Sequence, residues 1–156
     1  KEQSEFAQTQ LYQSLPYGPA HCDLFRDNVL FDGTYEQPRM GGLIDFYFAG
    51  CDTWLFDVAV SLNDWCTHRN TGEFDMGKTT AWLQAYAEIR PFTEAEQHAW
   101  PLVLQAAALR FWVSRLYDYF LPRPAQTLKP HDPRHFEIVL QARRNGNNPE
   151  LPKVTT

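Results

Sequence analysis

The chain has 156 residues, 44% hydrophobic and 21% charged, with a formal charge of −5, which suits one packed domain and excludes wholesale disorder and a basic nucleic-acid footprint. No apolar run approaches the roughly 18 residues of a membrane span, and Lys1, Glu2 and Glu5 leave no apolar signal-peptide core. Cys22, Cys51 and Cys66 are odd in number and lack CxxC spacing, so neither a disulfide framework nor a zinc site is indicated, and a reducing, cytoplasmic setting is expected.

In chain order, Phe6, Ala7, Leu11 and Leu15 recur at helical spacing, which predicts a helix over Lys1–Gln13 ending before Pro16. Pro16-Tyr17-Gly18-Pro19 reads as a turn. Val29-Leu30-Phe31 and Leu43-Ile44 are short β-branched or aromatic runs around a gap holding Gly33, Pro38, Gly41 and Gly42. That pattern predicts a hairpin. Pairing the strands brings Asn28 and Asp45 to the same end of the ladder, and the preceding loop carries Asp23 there. Phe46 to Trp54 is expected to be a loop. Leu55, Val58, Ala59, Leu62 and Trp65 then mark a buried helix from Trp54 to about His68. Asp57 lies inside that apolar run and requires hydrogen-bond partners there.

Arg69 to Gly77 is turn-like. Met76–Ile89 reads as a helix with Asp75 as N-cap. Thr93 and Glu96 make a capping box, opening a helical pattern that runs to about Tyr119. Pro101 is expected to break it, leaving a long buried helix from Leu102, with Pro122 and Pro124 closing it. Asp132-Pro133 should open a last helix to about Arg144, and a loose tail should follow Asn145-Gly146-Asn147-Asn148-Pro149. The expected fold class is mainly α (α+β), four to six helices around one small β-hairpin.

Two carboxylates and an amide meeting at one hairpin end can hold Mg²⁺ and orient a hydroxyl, since Mg²⁺ takes one or two carboxylates plus substrate phosphates. The spacing follows the kinase catalytic loop, H-R-D-x-x-x-x-N, then a strand and a D-F-G, although Asp45-Phe46 is followed here by Tyr47 and not by Gly. His21 and Asp23 fill the first and third places, Asn28 falls five residues after Asp23, and Asp45-Phe46 follows the second strand. In that template Asp23 is the catalytic residue that accepts the proton of the attacking hydroxyl. Asn28 and Asp45 are the metal and nucleotide-phosphate ligands. The competing assignments are a turn role for Asp23, an Asx-turn for Asn28 and a helix cap for Asp45.

Other side chains are more ambiguous. Protein kinases often carry a basic residue two places after the catalytic Asp, where this chain has Phe25. Arg26 suits a phosphate or a substrate carboxylate, or a surface salt bridge with Asp27 or another acid. Asp27 is otherwise a solvated loop acid. On the long helix, Arg110 or Arg115 can bind the carboxylate of an amino-acid substrate and Asp118 its ammonium; the competing assignment is an internal ion pair between helices. His131 and His135 read as surface residues rather than metal ligands, and the tryptophans as core.

Ala20-His21-Cys22-Asp23-Leu24-Phe25-Arg26-Asp27-Asn28-Val29-Leu30-Phe31, with Gly42-Leu43-Ile44-Asp45-Phe46-Tyr47-Phe48-Ala49, resembles the aminoglycoside-phosphotransferase-like kinases, within the protein-kinase-like superfamily. Among these it is most similar to the bacterial homoserine kinases. Leu55-Phe56-Asp57-Val58-Ala59-Val60, Asn63-Asp64-Trp65-Cys66 and Ala107-Ala108-Leu109-Arg110-Phe111-Trp112, then Ser114-Arg115-Leu116-Tyr117-Asp118, resemble the same group. The likeness runs from about Leu15 to about Arg144. It implies ATP as co-substrate, Mg²⁺ as cofactor and homoserine as the small-molecule acceptor, phosphorylated on its hydroxyl. It also implies structural roles for His21, tying the loop together, and for Asp57, bracing its backbone. Aminoglycoside or choline-type acceptors, or a non-catalytic kinase-like binding module, are the alternatives. The chain has no Gly-rich phosphate loop. The resemblance therefore implies that residues 1–156 are the C-terminal lobe of the kinase-like fold, and that an N-terminal ATP-clamping lobe is their missing partner. No nucleic-acid or membrane partner is expected.

Overall fold

The computed structural model describes residues 1–121 and 131–153. Its elements are α1 (Glu2–Phe6), α2 (Gln10–Gln13), β1 (Tyr17–Ala20), β2 (Val29–Gly33), β3 (Pro38–Leu43), β4 (Gly50–Thr53), α3 (Trp54–Trp65), α4 (Met76–Ile89), α5 (Glu94–Phe120) and α6 (Arg134–Arg144). The architecture is helical, as the periodicity predicted, with two small antiparallel sheets where one hairpin was expected. No helix among the described residues is long and apolar enough to cross a membrane.

The core lies where α5 crosses α3 and α6. Leu55, Val58, Ala59 and Leu62 of α3 meet Val103, Leu104, Ala107 and Ala108 of α5, and Phe136 and Val139 close the third side. These positions recur every three or four residues, so each helix presents one apolar stripe to its neighbours. Arg143 of α6 is fully buried among them. Its Nε donates to Asn63 Oδ1 at 2.8 Å, its Nη2 donates to Thr67 Oγ1 at 2.7 Å, and its guanidinium lies over the Phe74 ring. Burial pushes its pKa down to about 9, still high enough to stay charged at neutral pH. Trp100 lies inside the core, and Trp65, Trp82 and Trp112 edge it.

The expected hairpin is present. Val29 pairs with Leu43 and Leu30 with Gly42; a bulge then shifts the register so that Phe31 faces Met40. The bulge leaves Gly41 against Asp32, where a Cβ would come within 2.8 Å of the carboxylate. Helix α4 begins on the Asp75 cap, whose Oδ1 accepts from the Lys78 N–H, and α5 begins on the Thr93–Glu96 box.

Six expectations are corrected. The N-terminal helix is two short pieces. Thr9 Oγ1 donates to the Phe6 carbonyl and accepts from the Tyr12 N–H, ending one helix and capping the next, so the hydroxyl competes with the backbone ladder. The Pro16–Pro19 turn and the Phe46–Trp54 loop are in part strands: β1 pairs antiparallel with β4, Tyr17 opposite Thr53 and Ala20 opposite Gly50. Gly18 and Pro19 hid that strand, and its pairing partner lies over thirty residues away. Pro101 does not break α5, which runs unbroken to Phe120. The proline sits on the exposed face while Trp100, Val103 and Leu104 anchor the opposite side, so core packing outweighs one lost backbone bond. Pro133, expected as the first helical residue with Asp132 as N-cap, is itself the cap residue of α6 and gives no side-chain cap bond; Asp132 Oδ1 accepts the Arg134 N–H from one residue before it. The tail is docked as far as Pro152: Leu151 is buried, Pro149 O accepts from Trp100 Nε1 and Pro152 O accepts from Gln97 Nε2. The expected closure at Pro122 and Pro124 lies outside the described residues.

Candidate active site

Helix α3 holds the loop before β2 at three points. Asp57, one turn into the helix, accepts the His21 N–H on Oδ2 at 2.9 Å and the Cys22 N–H on Oδ1 at 2.8 Å. Two turns on, Asp64 accepts the Arg26 N–H and takes the Arg26 guanidinium through both oxygens, at 3.0 and 3.2 Å. Trp65 Nε1 donates to the Leu24 carbonyl. Residues 57 and 64 are seven apart and so share a helix face. Cys22, between two of these pins, has φ 62°, a left-handed conformation that costs a β-carbon residue on the order of 1 kcal/mol or more. The Asp57 bonds hold that strained peptide in place.

The rest of the loop is tied to the hairpin. His21 Nε2 donates to the Ile44 carbonyl at 3.0 Å, a tautomer assigned because a carbonyl only accepts, and its ring packs at a tilt against Phe46. Asn28 Nδ2 donates to the Asp23 carbonyl at 2.8 Å, and the Ile44 N–H donates to the Asn28 carbonyl at 3.0 Å. Asn28 is therefore not in an Asx-turn, and its Oδ1 remains free to accept. Asp45 follows β3 with φ 61° and makes no side-chain cap bond to the 3₁₀ turn Phe46–Phe48. Its carboxylate is spared from capping.

Asp23, Asn28 and Asp45 border one open cleft of about 840 Å³ between the hairpin end, α5 and α6. Asp23 is 9% exposed, and its Oδ1 is buried with no hydrogen-bond partner. Burial raises its pKa above the ordinary value; Arg110 opposes that rise, Asp45 adds to it, and His21 and Arg115 oppose it. Arg110 lies between the Phe48 and Phe111 rings, at 4.9 and 4.5 Å from their centroids. It supplies from α5 a positive charge near Asp23 that the loop lacks at Phe25.

Among the described residues no three His, Cys, Asp or Glu side chains form a metal-holding group. One carboxylate and one amide oxygen on an open cleft nevertheless suit a hard cation that completes its shell with phosphates and water. The donor chemistry of Asn28 and Asp45 fits Mg²⁺ in that sense.

Arg26 is corrected: its guanidinium is engaged by Asp64, not by Asp27, and it does not border the cleft, whereas Asp27 does. Arg115 and Asp118 both line the cleft, and neither forms the expected internal ion pair with another described residue. His131 is exposed, as expected, at the rim of the cleft, whereas His135 departs from a plain surface position. His135 is half-buried, with Nδ1 3.3 Å from the Arg69 carbonyl, and burial lowers its pKa. The sequence reading gave Asp64 no role and Trp65 only a core role; their placement two turns after Asp57 was the signal that could have assigned them to the same brace.

Residues 2–92 match the phosphotransferase enzyme family. Over 99% of the chain, the sequence is 55% identical to the homoserine kinase of Burkholderia ambifaria and 54% identical to those of Burkholderia cenocepacia and Burkholderia multivorans. The chain spans about half the length of these curated relatives, 47% in each case.

Proposed function

The chain belongs to the phosphotransferase enzyme family, and from that premise we propose that it forms the catalytic-loop lobe of a cytoplasmic, ATP-dependent kinase that phosphorylates the hydroxyl of L-homoserine to O-phospho-L-homoserine. The observation that carries this reading is the convergence of Asp23, Asn28 and Asp45 on one cleft at the end of the hairpin. The relatives named homoserine kinase support the choice of acceptor.

Phosphoryl transfer asks chiefly for positioning and charge neutralisation. Asp23 borders the cleft, where its carboxylate accepts the proton as the substrate hydroxyl attacks. The Asp57 clamp fixes the peptide on which that carboxylate stands. Asn28 and Asp45 would hold Mg²⁺, which when bound neutralises charge on the nucleotide phosphates. Asp45→Asn should therefore lower kcat by about 10²–10³-fold, the loss typical of removing one group that stabilises developing charge. Titrating Mg²⁺ in a steady-state assay checks this; an unchanged Mg²⁺ dependence would remove Asp45 from the metal site.

The other half of the longer protein is proposed to be the ATP-clamping lobe. The hairpin side exposes Leu30, Phe31 at 56%, Met40 at 68%, Phe46 and Tyr47 at 80%. A run of large apolar side chains of this kind marks a surface that another element covers, which supports a lobe packed there. The test of the function is ADP release by the full-length protein with L-homoserine, choline and an aminoglycoside as acceptors. L-homoserine should give the highest kcat/KM. Preference for another acceptor overturns the substrate, and silence with all three overturns the kinase reading.

A further inference from the structure

Arg115 and Asp118 are three residues apart on α5, one turn along the same face, and both line the cleft that holds Asp23. They carry opposite charges and do not pair with each other or with any other described residue. Helix neighbours of opposite sign at this spacing ordinarily meet. Arg115 is instead held away by stacking: its guanidinium carbon is 4.4 Å from the Phe136 ring centroid and 5.9 Å from that of Phe25. Phe25 is two residues after Asp23, so the same ring joins this cation to the catalytic loop. Phe136 is fully buried, and both rings pack on Phe111, so the platform under the guanidinium is rigid.

A half-buried cation without a counter-ion is costly unless a ligand supplies the anion. Burial lowers the Arg115 pKa; Asp64 opposes this, and the like charge of Arg69, another cleft residue, adds to it. Among the described residues no acidic side chain pairs directly with this cation, although Asp23, Asp27 and Asp64 share the cleft with it.

We propose that Arg115 and Asp118 form a zwitterion subsite, Arg115 taking the α-carboxylate of the acceptor and Asp118 its α-ammonium, so that the cleft selects an amino-acid alcohol over a cationic one. A planar guanidinium fixed on an aromatic face offers two parallel N–H donors to a carboxylate. The carboxylate of the acceptor completes the charge that Arg115 lacks. A cationic acceptor with no carboxylate leaves Arg115 uncompensated. This rests on the kinase reading above and specifies the substrate class that site accepts.

The test pairs truncated acceptors with variants of the full-length protein. 3-Aminopropan-1-ol is homoserine without its carboxylate, and 4-hydroxybutanoate is homoserine without its ammonium. Arg115→Gln should lower kcat/KM for L-homoserine and for 4-hydroxybutanoate by about 30-fold or more, the loss expected when one partner of a desolvated charge pair is removed. It should leave 3-aminopropan-1-ol within about twofold. Asp118→Asn should do the converse, sparing 4-hydroxybutanoate. Arg115→Lys should restore part of the loss for L-homoserine, since it returns the charge without the fork. Because each variant carries its own unaffected acceptor, a folding defect lowers all three rates together and is told apart. Equal losses across acceptors in folded Arg115→Gln protein, or no loss at all, would overturn the subsite. Wild-type protein that releases no ADP with any of the three, but binds L-homoserine more weakly after Arg115→Gln by calorimetry, would overturn the kinase reading and leave the subsite standing.

Discussion

Replacing Asp23 by asparagine should lower kcat of the full-length protein by about 10²–10⁴-fold, the range for a positioned general base, with nucleotide affinity nearly unchanged. Asparagine keeps the shape of the side chain and leaves the loop pinned by Asp57, Asp64 and Trp65. What it loses is the acceptor for the hydroxyl proton. Burial raises the wild-type carboxyl, and a base works only when ionised. The kcat/KM of wild type should therefore fall on the acid side at a pH above the ordinary Asp value of about 3.9, and residual Asp23→Asn activity should lack that limb. For stability the sign is opposite to that of a salt-bridged acid. The folded state holds the Asp23 proton more tightly than the unfolded chain, so this group contributes stability at low pH that is lost as pH rises through its titration. Stopped-flow or steady-state rates with calorimetric nucleotide binding check the first part. Near-wild-type turnover in Asp23→Asn would assign the base elsewhere.

Glu96→Ala should be the most damaging single change to stability, at about 3–5 kcal/mol, the range for stranding one partner of a buried ion pair. Glu96 is 0% exposed and serves two elements at once. Its carboxylate accepts the Thr93 N–H at 2.8 Å, closing the cap of α5, and takes the Arg90 guanidinium at the end of α4. Arg90 in turn donates to Tyr86 Oη and lies over the Trp54, Tyr86 and Phe92 rings. Removing Glu96 leaves that cation against aromatic walls with no carboxylate and frees an N–H at the helix start. Glu96→Gln should cost less, because an amide oxygen still accepts from Thr93. Against a total of about 5–15 kcal/mol, the alanine variant should show a much lower denaturation midpoint with the denaturant slope unchanged. The residues of the cleft are elsewhere, so kcat in conditions where the variant is folded should match wild type. A midpoint shift below about 1 kcal/mol would show that the pair is not integral to the fold.

These two residues differ in how readable they were. The Thr93–Glu96 box declares itself over four positions, and Asp75 likewise caps the helix directly after it. Asp23, Asn28 and Asp45 were placed together by a spacing and a hairpin, both local, and the hairpin register in the structure brings all three to one cleft. The Arg90 partner of Glu96 was not legible, because the pair forms across the α4–α5 junction. For Arg26 a salt bridge with Asp27 or another acid was one open alternative, but which acid it would meet was not legible, for the same reason. Its nearest acid in sequence is Asp27, yet α3 delivers Asp64 to it from thirty-eight residues away. The Pro101 break and the loose tail failed because each rested on local propensity, and buried Trp100, with its bond to Pro149, decides both.

The sequence alone determined the helical class, the hairpin, the caps and the spacing of the three candidate site residues, since each depends on side chains acting within one turn or one ribbon of backbone. Tertiary structure alone decided the β1–β4 pairing, the unbroken course of α5, the three-point hold of α3 on the loop, and the absence of an ion pair at Arg115 and Asp118 among the described residues. Those outcomes depend on which distant surfaces meet. Packing energy gained across such contacts outweighs a single proline or a favourable neighbouring charge, so local chemistry could not foretell them.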